Sequence, residues 1–299
     1  MTTRSLSCTH SGAALPPDLP TPDAVLGRAA GENFAVASRV LPRRARRHLI
    51  AFYGFARFTD QIGDAYAGDR RAALEWLEAE TRRSLAGEDG SVHPLVGLAA
   101  RSVRELELDS RPLFDLIEAN RVDQDVHAYR TFEDLLGYCR LSANPVGRLV
   151  LGAFGYRDDH RCGLSDSVCT ALQLVEHWQD VREDALAGRV YLPGEDLARF
   201  GVDPTWLAGD PPARPELRAL MVFEVARARQ WLDRGAPLLA LLHGRARLAV
   251  AGFVAGGRAA LDNIARRDFD VLSPPSRPGA LSMARNLALT VGSHRGEAA

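Results

Sequence analysis

Few stretches of this chain alternate apolar and polar residues. Between about 42 and 267 it runs instead in long segments rich in Ala, Leu and Arg, broken by short runs of Gly, Pro and Asp. That pattern predicts helices near 42–66, 70–86, 92–106, 110–127, 131–155, 164–187, 213–242 and 244–268, with no convincing strand. Several reach 20 residues or more without a sustained heptad, which predicts packing into one large bundle rather than a coiled coil. No repeat and no interior linker divides the chain, so one all-α domain over 21–272 is expected. Residues 188–212 read as a long irregular connection, a length that often carries function. The polar, proline-bearing residues 1–20 read as a disordered lead-in, and 273–299 as a mobile tail.

Composition narrows the function classes. Of 299 residues, 46% are hydrophobic and 25% charged, with 37 basic against 38 acidic side chains, so no net field draws the chain to nucleic acid. Every basic residue is arginine, which removes Schiff-base chemistry and the phosphate-loop lysine. Cys8, Cys139, Cys162 and Cys169 have neither C-x-x-C spacing nor histidines at zinc-finger intervals. The longest apolar runs, 236–242 and 248–256, fall far short of the roughly 20 residues that cross a bilayer. The N-terminus lacks a signal-peptide core, so a cytoplasmic location is expected.

Two acidic constellations carry the chemistry. In FYGFARFTDQIGDAY, Asp60 and Asp64 stand four apart and leave the same helix face, roughly 6 Å apart along its axis. The same stripe holds Arg57 and Tyr53. In LQLVEHWQDVREDALAGR, Asp180 and Asp184 repeat the spacing, extended N-terminally by Glu176 and Gln173. A lone acidic pair at this spacing is common on solvated helices. These helices, however, are apolar and aromatic around the acids (Phe52, Tyr53, Phe55, Phe58), where carboxylates need a partner. Mg²⁺ takes one or two carboxylates and completes its shell with water and phosphate oxygens, so two facing stripes predict a clamp for a diphosphate. With an apolar, aromatic interior, such a cleft suits ionisation of an allylic or cyclopropylcarbinyl diphosphate.

These residues resemble the squalene/phytoene synthase family, and within it the HpnC-type hydroxysqualene synthases of hopanoid pathways. The similarity covers roughly 31–270. It is carried by GENFAVASRVLPRRARRHLIAFYGFARFTDQIGD, YCRLSANPVGRLVLGAFGY and LQLVEHWQDVREDALAGRVYLPGEDLARFGV. Phytoene and dehydrosqualene synthases usually carry a V-A-G-x-V-G run where this chain has Ser142-Ala143-Asn144-Pro145-Val146-Gly147.

The resemblance implies an all-α isoprenoid synthase (terpenoid synthase type I) bundle around a central cavity. It implies Mg²⁺ held by Asp60 and Asp64 and by Asp180 and Asp184, with Arg46 and Arg57 on the substrate diphosphate. Tyr138 matches a cavity tyrosine that assists proton handling or cation stabilisation, and Tyr191 one near the diphosphate. Phe34 and Asn33 match the cleft entrance. Tyr53, Gln173 and Ser142 complete the expected substrate-binding set, Ser142 facing the same cavity as Tyr138.

Two departures stand out. The usual D-D-x-x-D-E motif reads Asp60-Gln61-Ile62-Gly63-Asp64-Ala65 here, and Glu176 replaces the usual Asn as a further candidate metal ligand. The implied reaction converts presqualene diphosphate and water into hydroxysqualene. The alternatives are head-to-head condensation to squalene or phytoene-type products, and a catalytically silent lipid- or partner-binding paralogue. An apolar product further implies peripheral membrane contact and hand-over to other hopanoid-pathway enzymes. His177, Cys139 and Cys169 receive no chemistry.

Overall fold

The computed structural model describes residues 16–27, 43–87 and 93–273, together with 286 and 290. After the short α1 (Pro22–Leu26) come α2 (Arg43–Ala65), α3 (Arg70–Ala86), α4 (Pro94–Glu105), α5 (Arg111–Val122), α6 (Phe132–Ser142) and α7 (Asn144–Ala153). There follow α8 (Asp159–Gln179), α9 (Val181–Leu186), α10 (Gly194–Phe200), a 3₁₀ turn (Pro204–Ala208), α11 (Pro215–Gly235), α12 (Leu238–Leu241) and α13 (Gly244–Arg266). Among the described residues there is no strand, only one isolated bridge between Ala128 and Val190.

The starts are set by local chemistry: the Asp69 carboxylate caps α3, and Thr131 and Asp134 form a reciprocal capping box on α6. Three predicted helices are interrupted. Pro145 has no N–H for the Leu141 carbonyl, so 131–155 divides into α6 and α7. Pro237 likewise ends 213–242 as one helix. At Asp180 the backbone leaves helical geometry (φ −107°, ψ 14°), dividing 164–187 into α8 and α9. The expected irregular segment 188–212 holds α10 and the 3₁₀ turn, because Leu197, Val202 and Leu207 are buried and anchor it to the core.

Two apolar cores result. One gathers α2–α5 and α7 around Phe55, Phe58, Trp76 and Ile117; the other gathers α6, α8, α11 and α13 around Trp178, Leu174, Leu217 and Leu261. Phe52, Phe55 and Phe58 spread round α2 as their spacing requires, Phe52 alone lining a cavity. Within the expected lead-in, residues 16–20 lie on the bundle: the Tyr66 hydroxyl donates to the Pro17 carbonyl at 2.9 Å, and Leu19 packs on the first core. Of the expected tail, Asn286 and Thr290 are buried, and Arg258 donates to Thr290 Oγ1 at 3.1 Å.

A buried charge cluster fixes α10 to α11. Arg227 donates to Asp196 at 2.7 Å and to Glu224 at 3.2 Å, and its guanidinium lies 4.1 Å from the Phe132 ring centre and 4.4 Å from that of Phe223. Two carboxyls share one cation there. Burial pushes Glu224 up to about 8, Arg227 opposing and Asp196 reinforcing the shift. Because the folded state holds this proton more tightly, its stabilising contribution is full below about pH 4.5 and is lost as pH rises through about 8. The slope is at most about 1.4 kcal/mol per pH unit. Glu224→Gln should therefore flatten the decline of Tm between about pH 6 and 9 relative to wild type; parallel declines would refute this account of the cluster.

Candidate active site

The first acidic stripe is built on α2, where Arg46, Tyr53, Arg57, Asp60 and Asp64 fall at 7-, 4-, 3- and 4-residue steps along one face. Tyr53, Arg57 and Asp60 line a cavity of about 260 Å³, with Phe52, Leu116, Leu149 and Val150 as its apolar wall. Arg46 is half-buried two turns before Tyr53 and lines neither cavity described here. Phe34 and Asn33 lie outside the described residues.

The second stripe comes from α8 and α9. Gln173 and Glu176, one turn apart, line the same cavity opposite α2. The break at Asp180 leaves the turn intact: Asp180 N–H donates to the Glu176 carbonyl at 3.1 Å and Asp184 N–H to that of Asp180 at 2.8 Å. The carboxylates therefore stay on one side of a helix that does not run straight. After α9, Gly188 takes φ 82°, a conformation that glycine adopts without strain, and Arg189 N–H closes onto the Asp184 carbonyl at 2.8 Å.

That turn brings the stripes together. The Arg189 guanidinium reaches back 125 positions to donate to Asp64 Oδ1 at 3.0 Å. Burial chiefly, and then Asp64 and Glu176, push the Asp60 carboxyl up to about 7, while Asn120, donating at 3.3 Å, and Arg57 hold it down. Asp184 rises to about 7 through burial, Asp180, Glu183 and Glu176, against Arg189, and Asp180 rises through burial and Glu183. Asp60 and Asp184 thus both feel Glu176, so that residue stands between the two stripes electrostatically.

The donor set fits a hard divalent cation. It is all carboxylate oxygen, and at Asp60, Asp180 and Asp184 burial and neighbouring carboxylates resist ionisation, an opposition that a divalent cation reverses. Among the described residues no three His, Cys, Asp or Glu side chains converge on one point. Such a site matches Mg²⁺ that shares one or two carboxylates with water and phosphate oxygens, not an all-protein cage.

Tyr191, two residues after Arg189, belongs to an aromatic cluster. Tyr191 stacks on His177 with ring centres 3.6 Å apart, and Tyr138 lies 5.9 Å from Tyr191 and 5.5 Å from Tyr129. The Tyr138 hydroxyl donates to Asp123 Oδ2 at 2.8 Å. Burial raises Asp123 to about 6 against that hydrogen bond, and lowers His177 to about 3, keeping its ring neutral. Tyr138 was expected to share a cavity with Ser142. Its ring instead turns toward Tyr129 and Tyr191, while Ser142, at the end of α6, lines the cavity and a second one of about 180 Å³ between α7, α8, α12 and α13.

Several site residues carry no local signal. Arg189 sits two residues before Tyr191 in the same GRVYLP stretch and could have been found there. Asn120 comes from α5 and Asp123 from the residue just after it, a stretch whose sequence holds no motif, and only packing brings them to Asp60 and Tyr138.

The sequence model of the Squalene/phytoene synthase family matches residues 28–285. A phytoene synthase of Mycobacterium tuberculosis is 34% identical over 222 residues, 73% of this chain and 72% of that protein. A hydroxysqualene synthase of Rhodopseudomonas palustris is 34% identical over 212 residues, 70% of each. The solved squalene synthase HpnC from Alicyclobacillus acidocaldarius superposes with a TM-score of 0.77 at 42% identity, covering 82% of this chain and 92% of that one. Asp60 of α2 and Glu176 of α8 line one cavity within an all-α bundle, whereas Asp64, Asp180 and Asp184 line neither cavity described here; with likenesses along most of its length, the chain belongs to the squalene/phytoene synthase family.

Proposed function

We propose that this chain ionises presqualene diphosphate and returns hydroxysqualene, with Mg²⁺ as its metal. The observation that carries the reading is the meeting of two acidic segments about 120 positions apart: Arg189, just after the second, pairs with Asp64 of the first, and Asp60 and Glu176 line one cavity. The family acts on prenyl diphosphates and is divalent-metal dependent. Choice of reaction within it rests on the 34% identity to the hydroxysqualene synthase of Rhodopseudomonas palustris and on the Ser142–Gly147 stretch.

Asp60, Asp64, Asp180, Asp184 and Glu176 would hold the metal, which when bound supplies positive charge against the departing diphosphate. Arg57 on the cavity wall and Arg46 farther along the same face add guanidinium charge to the leaving group. Phe52, Leu116, Val146, Leu149 and Val150 exclude bulk water from the cation. Tyr53 shares that wall, within reach of a cation through its ring face. Tyr138 and Tyr191 act from the aromatic cluster, Tyr138 keeping its proton while its hydroxyl donates a hydrogen bond to Asp123, and Tyr191 interacting with Arg189. Because the alcohol is strongly apolar, the reading includes peripheral membrane contact and transfer to other hopanoid-pathway enzymes. Among the described residues no helix is long and apolar enough to cross a membrane.

Incubation of the purified chain and Mg²⁺ with presqualene diphosphate should release pyrophosphate and give a C30 alcohol by mass. The second reading, head-to-head condensation, is favoured by the 34% identity to phytoene synthase; it requires a C30 or C40 hydrocarbon from farnesyl or geranylgeranyl diphosphate. Hydrocarbon alone from these substrates, with presqualene diphosphate returned intact, would replace the first reading by the second.

A further inference from the structure

Several hydroxyl side chains inside these helices close onto the carbonyl one turn back, though buried Ser84 of α3 finds no partner. Thr59 donates to the Phe55 carbonyl at 2.9 Å, Thr81 to that of Leu77 at 2.7 Å and Ser167 to that of Gly163 at 3.2 Å. Ser142, in the last turn of α6, does not. Its Oγ is shut away from solvent and has no protein partner. A buried hydroxyl is ordinarily satisfied by protein or by an ordered water.

The position of this hydroxyl is specific. Ser142, Val146, Val150, Gln173 and Glu176 line both cavities, so they mark the junction at which the two adjoin. Most of the surrounding lining is apolar, including Leu172, Leu238 and Phe253 on one side and Phe52, Leu116 and Leu149 on the other. Gln173 faces the junction from α8, its amide nitrogen 3.2 Å from Nε2 of the neutral His177 ring.

We infer that the Ser142 hydroxyl and the Gln173 amide hold the water molecule that captures the carbocation at the junction of the two cavities. This rests on the proposed conversion of presqualene diphosphate to hydroxysqualene. A lone pair of the water oxygen forms the C–O bond to the cationic carbon. One O–H bond of that water breaks, and the proton passes to the diphosphate already released, the base that the reaction itself generates. Substrate and water are thus balanced by alcohol and protonated diphosphate. A single water fixed by hydrogen bonds in an apolar space reaches only the carbon delivered to that point, which confines capture to one position of the chain.

The test is product partition, normalised to pyrophosphate released, for wild type, Ser142→Val, Ser142→Ala and Ser142→Thr with presqualene diphosphate and Mg²⁺. Loss of the hydroxyl should lower the ratio of C30 alcohol to hydrocarbon by at least about fivefold, the scale of one hydrogen bond. The uncaptured cation then loses a proton to the diphosphate and leaves as a polyene. Ser142→Thr should return the ratio toward wild type. A crystal structure of the wild-type chain should show an ordered water within hydrogen-bonding distance of Ser142 Oγ, and that of Ser142→Val should not. An unchanged ratio in both the Val and Ala variants, or a wild-type junction without that water, overturns the inference alone. A wild-type chain that makes no alcohol overturns the functional reading and the inference together.

Discussion

Asp60→Asn and Asp184→Asn should each slow pyrophosphate release from presqualene diphosphate by about 100- to 1,000-fold, the range found when one preorganised electrostatic contact to developing charge is lost. The amide keeps the size of the carboxylate and removes only its charge. At position 60 it stays within reach of Asn120, so packing around the cavity is preserved. The same substitution should not lower Tm in metal-free buffer. Burial pushes both carboxyls up to about 7, so at pH 8 the folded wild type bears the cost of their ionisation while the amide does not. Kinetics at saturating Mg²⁺ together with thermal melting separate the two effects. A variant with rates within about threefold of wild type would remove that aspartate from the clamp.

Gly63→Ala should cost about 1–3 kcal/mol, the usual penalty for forcing a methyl group into a filled interior. A Cβ at position 63 would lie 2.1 Å from Asn120 Oδ1 and 2.9 Å from its Cγ. Asn120 is itself buried and committed, donating to Asp60 at 3.3 Å and to the Leu116 carbonyl at 3.1 Å, while Gln124 donates to the Gly63 carbonyl at 3.0 Å. The methyl must displace α2 from α5 or push the amide off Asp60. For a chain of this size the expected fall in Tm is about 2–4 °C per kcal/mol, accompanied by a loss of activity. Asn120→Ala in the same chain makes room for the methyl, so the double variant should regain stability relative to Gly63→Ala without regaining full activity. If the two substitutions simply added, the close approach of α2 and α5 would not be the cause.

Much of the helical content could be read locally. Periodic apolar positions, capping residues such as Asp69 and Thr131, and breakers such as Pro145 and Pro237 act over one or two turns. The helices near 42–66, 70–86 and 244–268 match α2, α3 and α13 for that reason. The segment 188–212 was less legible, since its α10 is only seven residues long and is held by burial of Leu197 and by the Asp196–Arg227 contact from α11. The acidic stripes were legible because four-residue spacing needs only helical geometry, and at Asp180 even that geometry is interrupted.

Taken alone, the sequence determined that the chain forms helices carrying two acidic faces and that its basic chemistry belongs to arginine, because these follow from residue identity and near-neighbour spacing. Only the tertiary structure decided that Arg189 pairs with Asp64, that Asn120 steadies Asp60, that Tyr138 bonds Asp123, and that the Ser142 hydroxyl stands where two cavities join. Those relations depend on side chains from separate helices being packed to within about 3 Å of one another, a precision that comes from the filled interior of the bundle and not from any periodicity along the chain.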